Sequence, residues 1–256
     1  MIAHPKFARP TVAEALCEIH FALGVDAVWD PAWFGQVHDV LRPGYPTMEP
    51  RQFMEWAATV SLDGITQQLA PPQLRMVYRH GERPHLVQLS PGILTVNEIE
   101  PYPGWETCSR DVESAWELVA GIVQPRAVNR LGLRYINRIP RQRPDDRVGE
   151  WLAQSDYFPA RLLTSPTRFL SRFESSPEPG LRLIVTVGDA LAPGTETIEA
   201  DGRDVILDID AILEAPLSVE WAPLSAEIER LHELVWGVFE SSIGPKLQIH
   251  LTGATL

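Results

Sequence analysis

The sequence predicts an α+β protein made of two tandem halves. Each half runs strand, helix, four strands, helix, with an antiparallel sheet and its helices packed on one face. Three observations lead there. Runs with strand-like alternation are separated by gaps too short for parallel crossovers. Two long amphipathic stripes, over 107–123 and 224–242, each close a block of strands. Landmarks also recur at nearly fixed spacing: Leu16 and Leu131 are 115 apart, as are Asp30 and Asp145, while Phe53 and Phe169 are 116 apart, as are Trp105 and Trp221.

Taken in order, Cys17, Ile19, Phe21 and Leu23 share one face of a first strand, with Glu18 and His20 on the other. Asp30-Pro31 opens a helix with a side-chain acceptor followed by a residue already set at helical φ. Trp33, Phe34, Val37, Val40 and Leu41 form its stripe, and Pro43-Gly44 ends it. Strands follow at 52–61, 73–79, 85–89 and 93–98, broken by Asp63-Gly64, His80-Gly81-Glu82 and Pro91-Gly92. The helix over 107–123 buries Val112, Ala115, Trp116, Val119 and Val123. Pro125 then marks the junction between the halves, 1–124 and 125–256. The second half repeats the pattern. It has a strand around Leu131, a short helix capped by Asp145-Asp146, strands at 168–174, 181–187, 195–199 and 204–210, with Asp201-Gly202 as a turn, and the helix over 224–242. After Gly244-Pro245, the alternation of Leu247, Ile249 and Leu251 predicts a terminal strand, added to its own sheet or to a second copy in a homodimer.

Composition sets the function classes. The chain has 256 residues, 45% hydrophobic and 22% charged, as expected of a globular protein. No apolar run nears the ~18 residues of a membrane span, and residues 1–10 lack the apolar core of a signal peptide, so the expectation is a cytoplasmic protein without membrane contact. A net charge of −12 disfavours a phosphate-gripping nucleic-acid binder. Cys17 and Cys108 form no CxxC pair. No cofactor or metal motif is present: the seven histidines lack metalloprotease spacing, and glycine-rich phosphate loops and the GxSxG elbow are absent. His80 and His85 are expected as surface residues of a turn. Trp33, Trp56, Trp105, Trp116, Trp151 and Trp236 fit core stripes.

The most distinctive stretch is Gly132-Leu133-Arg134-Tyr135-Ile136-Asn137-Arg138-Ile139. With Glu18-Ile19-His20-Phe21, Tyr45-Pro46, Tyr102-Pro103-Gly104-Trp105, Asp208-Ile209-Asp210, Leu231-His232 and Phe239-Glu240, it resembles a sporadically distributed prokaryotic family of unknown function. The matching pieces keep their order over nearly the whole chain. The resemblance implies no activity that can be carried over. The element order also resembles the repeat of TATA-box-binding-protein-like folds, and order alone carries no function.

Alternation places Arg130, Arg134 and Arg138 on the strand face opposite Leu131, Leu133, Tyr135 and Ile139. By the same parity Asp204, Asp208 and Asp210 oppose Val205, Leu207 and Ile209, and Arg168 and Arg172 oppose Phe169 and Phe173. If these strands share a sheet, its polar face carries arginines and aspartates together. One reading is a set of cross-strand ion pairs. The other is a ligand site of Arg134, Arg138, Arg172, Asp208, Asp210 and His20. There the arginines would bind an anion by bidentate contacts, and nearby guanidinium groups argue against a metal. The function expected is therefore a binding or accessory protein for a protein partner or a small anion. The alternative is an enzyme using Asp208 or Asp210 as base and Arg134 or Arg138 as anion clamp.

Overall fold

A computed structural model describes residues 4–53, 56–61, 64–69, 73–141, 146–164, 169–189 and 204–254. Asp145, Arg168, the strand expected at 195–199 and the Asp201-Gly202 turn lie outside these residues, as does the side chain of Trp56. The order is β1 (Val12–Ala22), α1 (Ala32–Leu41), β2 (Thr47–Phe53), β3 (Trp56–Ser61), β4 (Gly64–Leu69), β5 (Gln73–Arg79), β6 (His85–Ser90), β7 (Ile93–Ile99) and α2 (Trp105–Val123). It continues with β8 (Ala127–Ile139), α3 (Val148–Trp151), α4 (Ala160–Thr164), β9 (Leu170–Glu178), β10 (Leu181–Asp189), β11 (Val205–Leu217), α5 (Trp221–Ser241) and α6 (Pro245–Thr252).

Nine strands form one antiparallel sheet in the order β2-β5-β6-β7-β1-β8-β11-β10-β9, and β3 and β4 pair as a separate hairpin. The segment expected as one strand at 52–61 is thus divided between the sheet edge and the hairpin. The first and second parts of the chain meet where β1 pairs with β8, Leu16 opposite Arg134 and Cys17 opposite Leu133. Helix α2 ends at Val123, Gln124 takes the left-handed conformation that closes many helices, and Pro125 cannot continue it.

Parity decides the two faces of the sheet. Ala15, Cys17, Ile19 and Phe21 of β1 are buried, with Leu131 and Leu133 of β8 and Leu207 and Ile209 of β11. On this face lie α2 and α5, whose Val112, Trp116 and Val119, and Leu224, Ile228 and Leu231, complete one core. Each such side chain stabilises by roughly 1.5–3 kcal/mol on full burial. The opposite face carries Glu14, Glu18 and His20 of β1, Arg130, Arg134 and Arg138 of β8, and Asp208 and Asp210 of β11.

The C-terminal segment corrects an expectation: it is the helix α6, not a strand. Gly244 caps it and Pro245 starts it, the position where a missing N–H costs nothing. Leu247 and Leu251, four apart, are both fully buried, which is one helical stripe. Lys246 ties the helix to Asp146 at 2.5 Å and Glu150 at 3.2 Å. The backbone N–H of Ala8 donates to the Leu251 carbonyl at 2.9 Å, so α6 also anchors the N-terminal segment. Strand addition by this tail is therefore no route to a homodimer. Among the described residues no helix is long and apolar enough to cross a membrane.

Candidate functional site

Two regions bring polar chemistry together. On the open face, β1, β8 and β11 run side by side. Arg134 Nε and Nη2 donate to the two carboxylate oxygens of Asp208 at 2.8 and 2.6 Å, a forked pair. This pairing holds the guanidinium in its charged form, above its ordinary range. Arg138 donates to Asp204, and Arg172 to Glu174 at 3.2 Å. His20 meets Glu18 at 2.5 Å, and Arg130 comes within 4.0 Å of the same carboxylate. Burial opposes charge on Glu18, but the His20 hydrogen bond, then the charges of His20, Arg130 and Arg75, hold it below the ordinary carboxylate range. Asp210 lies opposite Arg134 in the ladder. It makes no side-chain hydrogen bond among the described residues, and burial pushes its carboxyl up to about 6, with Asp208 adding to the rise and Arg134 opposing it.

So the structure sets Arg134, Asp208 and Asp210 side by side near the middle of the polar face, with His20 opposite Arg130 toward one end of β8, Arg138 toward the other, and Arg172 on the edge strand β9. The arginines Arg134, Arg138 and Arg172 each have a carboxylate partner.

The second region lies on the helix side. A cleft of about 600 Å³ opens between the N-terminal segment, the turn entering α2, β8 and α5. Its polar floor comes from the core-facing parity of β8. Tyr135 and Tyr102 share a hydrogen bond between their hydroxyls at 2.8 Å, and Thr11 Oγ1 donates to Asn137 Oδ1 at 3.1 Å. Burial pushes both tyrosine hydroxyls well above their ordinary range, so they remain protonated donors. Its walls are aromatic. Trp105 stacks on His232 at 4.0 Å, nearly parallel, and Trp236 stacks on His4 at 4.3 Å. Phe7 and Phe239 pack edge to face at 6.2 Å. Trp105 is fixed by an N–H donated to Glu229 at 2.8 Å.

His232 is 5% exposed, and its Nδ1 is buried without a hydrogen-bond partner among the described residues. Burial, then the neighbouring His4, lowers its pKa to about 3. Burial therefore favours the neutral ring.

Sequence reasoning missed this cleft. Trp105 and Trp236, expected in core stripes, pack against the core and also line the cleft. The available signal was Asn137, a polar residue on the apolar parity of its strand. His85 also departs from expectation. It is fully buried and bonds Glu98 at 2.5 Å, on paired core-facing positions of β6 and β7. Asp111 of α2 joins this cluster, held by two hydrogen bonds from Arg83 at 2.8 and 3.1 Å. Cys17 and Cys108 are buried free thiols pushed up by burial, Cys17 to about 12, which makes them unreactive.

Neither a scan against protein-family models nor a search of curated proteins finds a match for this chain.

Proposed function

We propose that the protein is a binding protein that takes a small, flat, largely apolar molecule in the cleft between the N-terminal segment and α5. One observation carries the reading: a cleft of about 600 Å³ with aromatic walls and a few converging polar groups on its floor. That volume and lining suit a small organic ligand. Trp105 and Trp236 offer stacking surfaces, and Tyr102, Tyr135 and Asn137 offer directional hydrogen bonds. The weak basicity of His232 and the protonated tyrosines favour recognition over proton transfer.

The reading departs from the anion expected on the open face. An anion there would have to displace Asp208 from Arg134 or Asp204 from Arg138, and so compete with carboxylates already in place. A second reading is an enzyme on that face, favoured by Asp210, opposite Arg134 in the ladder, whose carboxyl burial pushes up to about 6.

We also infer an internal duplication of the kind seen in TATA-box-binding-protein-like folds. Read outward from the central pair, β1 is followed by β7, β6, β5 and β2, and β8 by β11, β10 and β9. In each part the last strand returns beside the first.

The test of the cleft is titration with indole and with a naphthalene sulfonate, read by tryptophan fluorescence and by the melting temperature. Saturable binding that raises the melting temperature, and that weakens at least about tenfold in a folded Trp236→Ala variant, is expected. Absence of saturable binding, or equal binding in that variant, overturns the reading.

A further inference from the structure

We propose that His4, His232 and Glu233 form a site for a divalent transition metal, zinc above all, at the edge of the aromatic cleft. The site does not depend on the cleft taking an organic ligand. One ligand atom from each of the three residues lies within 4.8 Å of the other two. Tetrahedral zinc with nitrogen and oxygen ligands at about 2.0–2.1 Å places those ligands roughly 3.3 Å apart. Closing on an ion then asks for movements of no more than about 1.5 Å between ligand atoms, most easily made by His4 and Glu233. His4 Nε2 and Glu233 Oε1 are already 2.9 Å apart.

The second observation is His232 itself. It is 5% exposed, lines the cleft, stacks flat on Trp105 and makes no side-chain hydrogen bond among the described residues. A buried imidazole without a partner forgoes the hydrogen bonding that such groups nearly always find. A metal would supply that partner. The stacking on Trp105 fixes its plane, as a ligand's surroundings must.

The charge setting also fits. Glu233 pairs with His4 and with no lysine or arginine among the described residues. The other histidine–carboxylate cluster, His85, Glu98 and Asp111, is different, because Arg83 already neutralises Asp111 through a forked pair. Two histidines and one carboxylate are a zinc-binding set that leaves a fourth position open. Here that position would be open to a ligand atom or water in the cleft.

The experiment uses the full, untagged chain, freed of metal by chelation. Zinc is titrated by calorimetry, and cobalt(II) by visible absorption. The expected result is one equivalent bound and a cobalt spectrum of four-coordinate intensity. His4→Ala and Glu233→Gln should each weaken binding at least about tenfold, while His38→Ala should leave it unchanged. Neither His4 nor Glu233 is a core residue, so both variants should fold. No saturable binding overturns the site, as does zinc affinity unchanged in His4→Ala and Glu233→Gln. Indole titration of the same samples keeps the two readings apart, since the cleft can fail as an organic site while zinc still binds, and the reverse.

Discussion

Replacing Asp210 with asparagine should make the protein more stable at neutral and alkaline pH. Asp210 sits on β11 facing the polar side of the sheet, and its neighbour across the ladder, Arg134, has its fork committed to Asp208. Its carboxyl is raised from 3.8 to about 6, first by burial. The folded state therefore holds a proton that the unfolded state releases at lower pH. Between those two values the folded protein binds more protons, so stability falls as pH rises, and the loss persists at every higher pH. At about 1.4 kcal/mol per pH unit, the rise corresponds to about 3 kcal/mol as an upper bound. Asp210 is only partly buried, so solvent screening should bring the realised penalty to about 1–2 kcal/mol. Asparagine keeps the shape and removes the charge. Urea denaturation followed by tryptophan fluorescence at about pH 4 and pH 7.5 reads the effect. Wild type and Asp210→Asn should be close at the lower pH, and the variant should be the more stable by about 1–2 kcal/mol at the higher. A variant less stable than wild type at both, or one with the wild-type slope between them, would refute the argument.

Two further substitutions test the packing around this sheet. Arg134→Ala leaves Asp208 without its forked partner, and because the arginine side chain is 40% exposed the cost should be modest, about 1–2 kcal/mol by denaturant midpoint; an unchanged midpoint would make the pair a solvated one. Gly244→Ala should cost about 1–3 kcal/mol, because a Cβ there would stand 2.6 Å from the Trp151 carbonyl carbon, and the Gly244 N–H to Trp151 carbonyl bond at 2.9 Å prevents retreat. Its φ of −87° is ordinary, so a neutral result would mean that the loop shifts freely.

Much of the fold was legible because burial is one-sided. β1 alternates from Ala15 onward, β8 and β11 alternate over most of their length, and the stripes of α2 and α5 are long enough to exclude a strand. The tail misled because Leu247, Ile249 and Leu251 satisfy two periods at once. Alternation over five residues also contains an i, i+4 pair, and Gly-Pro serves as a helix start as readily as a break. The arginine–aspartate face was placed correctly by parity, and register then decided the partners, Arg134 with Asp208 rather than with the directly opposed Asp210. The cleft was not legible. Its residues come from four distant stretches, and tryptophan at helical spacing looks the same whether it meets the core or a cavity. His85 and Glu98 were legible in principle, since each is a polar residue on the apolar parity of its strand.

The described sheet ends in β2 on one side and β9 on the other, and each edge strand carries a proline, Pro50 and Pro177. Proline offers no N–H to a newcomer. Charges reinforce this, with Glu49 and Arg51 on β2 and Arg172 and Glu174 on β9. The pairing of β9 with β10 also loses register between Ser175 and Glu178, around Pro177. A broad, regular sheet of this kind is otherwise a template for polymerisation. These interruptions make both described edges poor templates for a further strand.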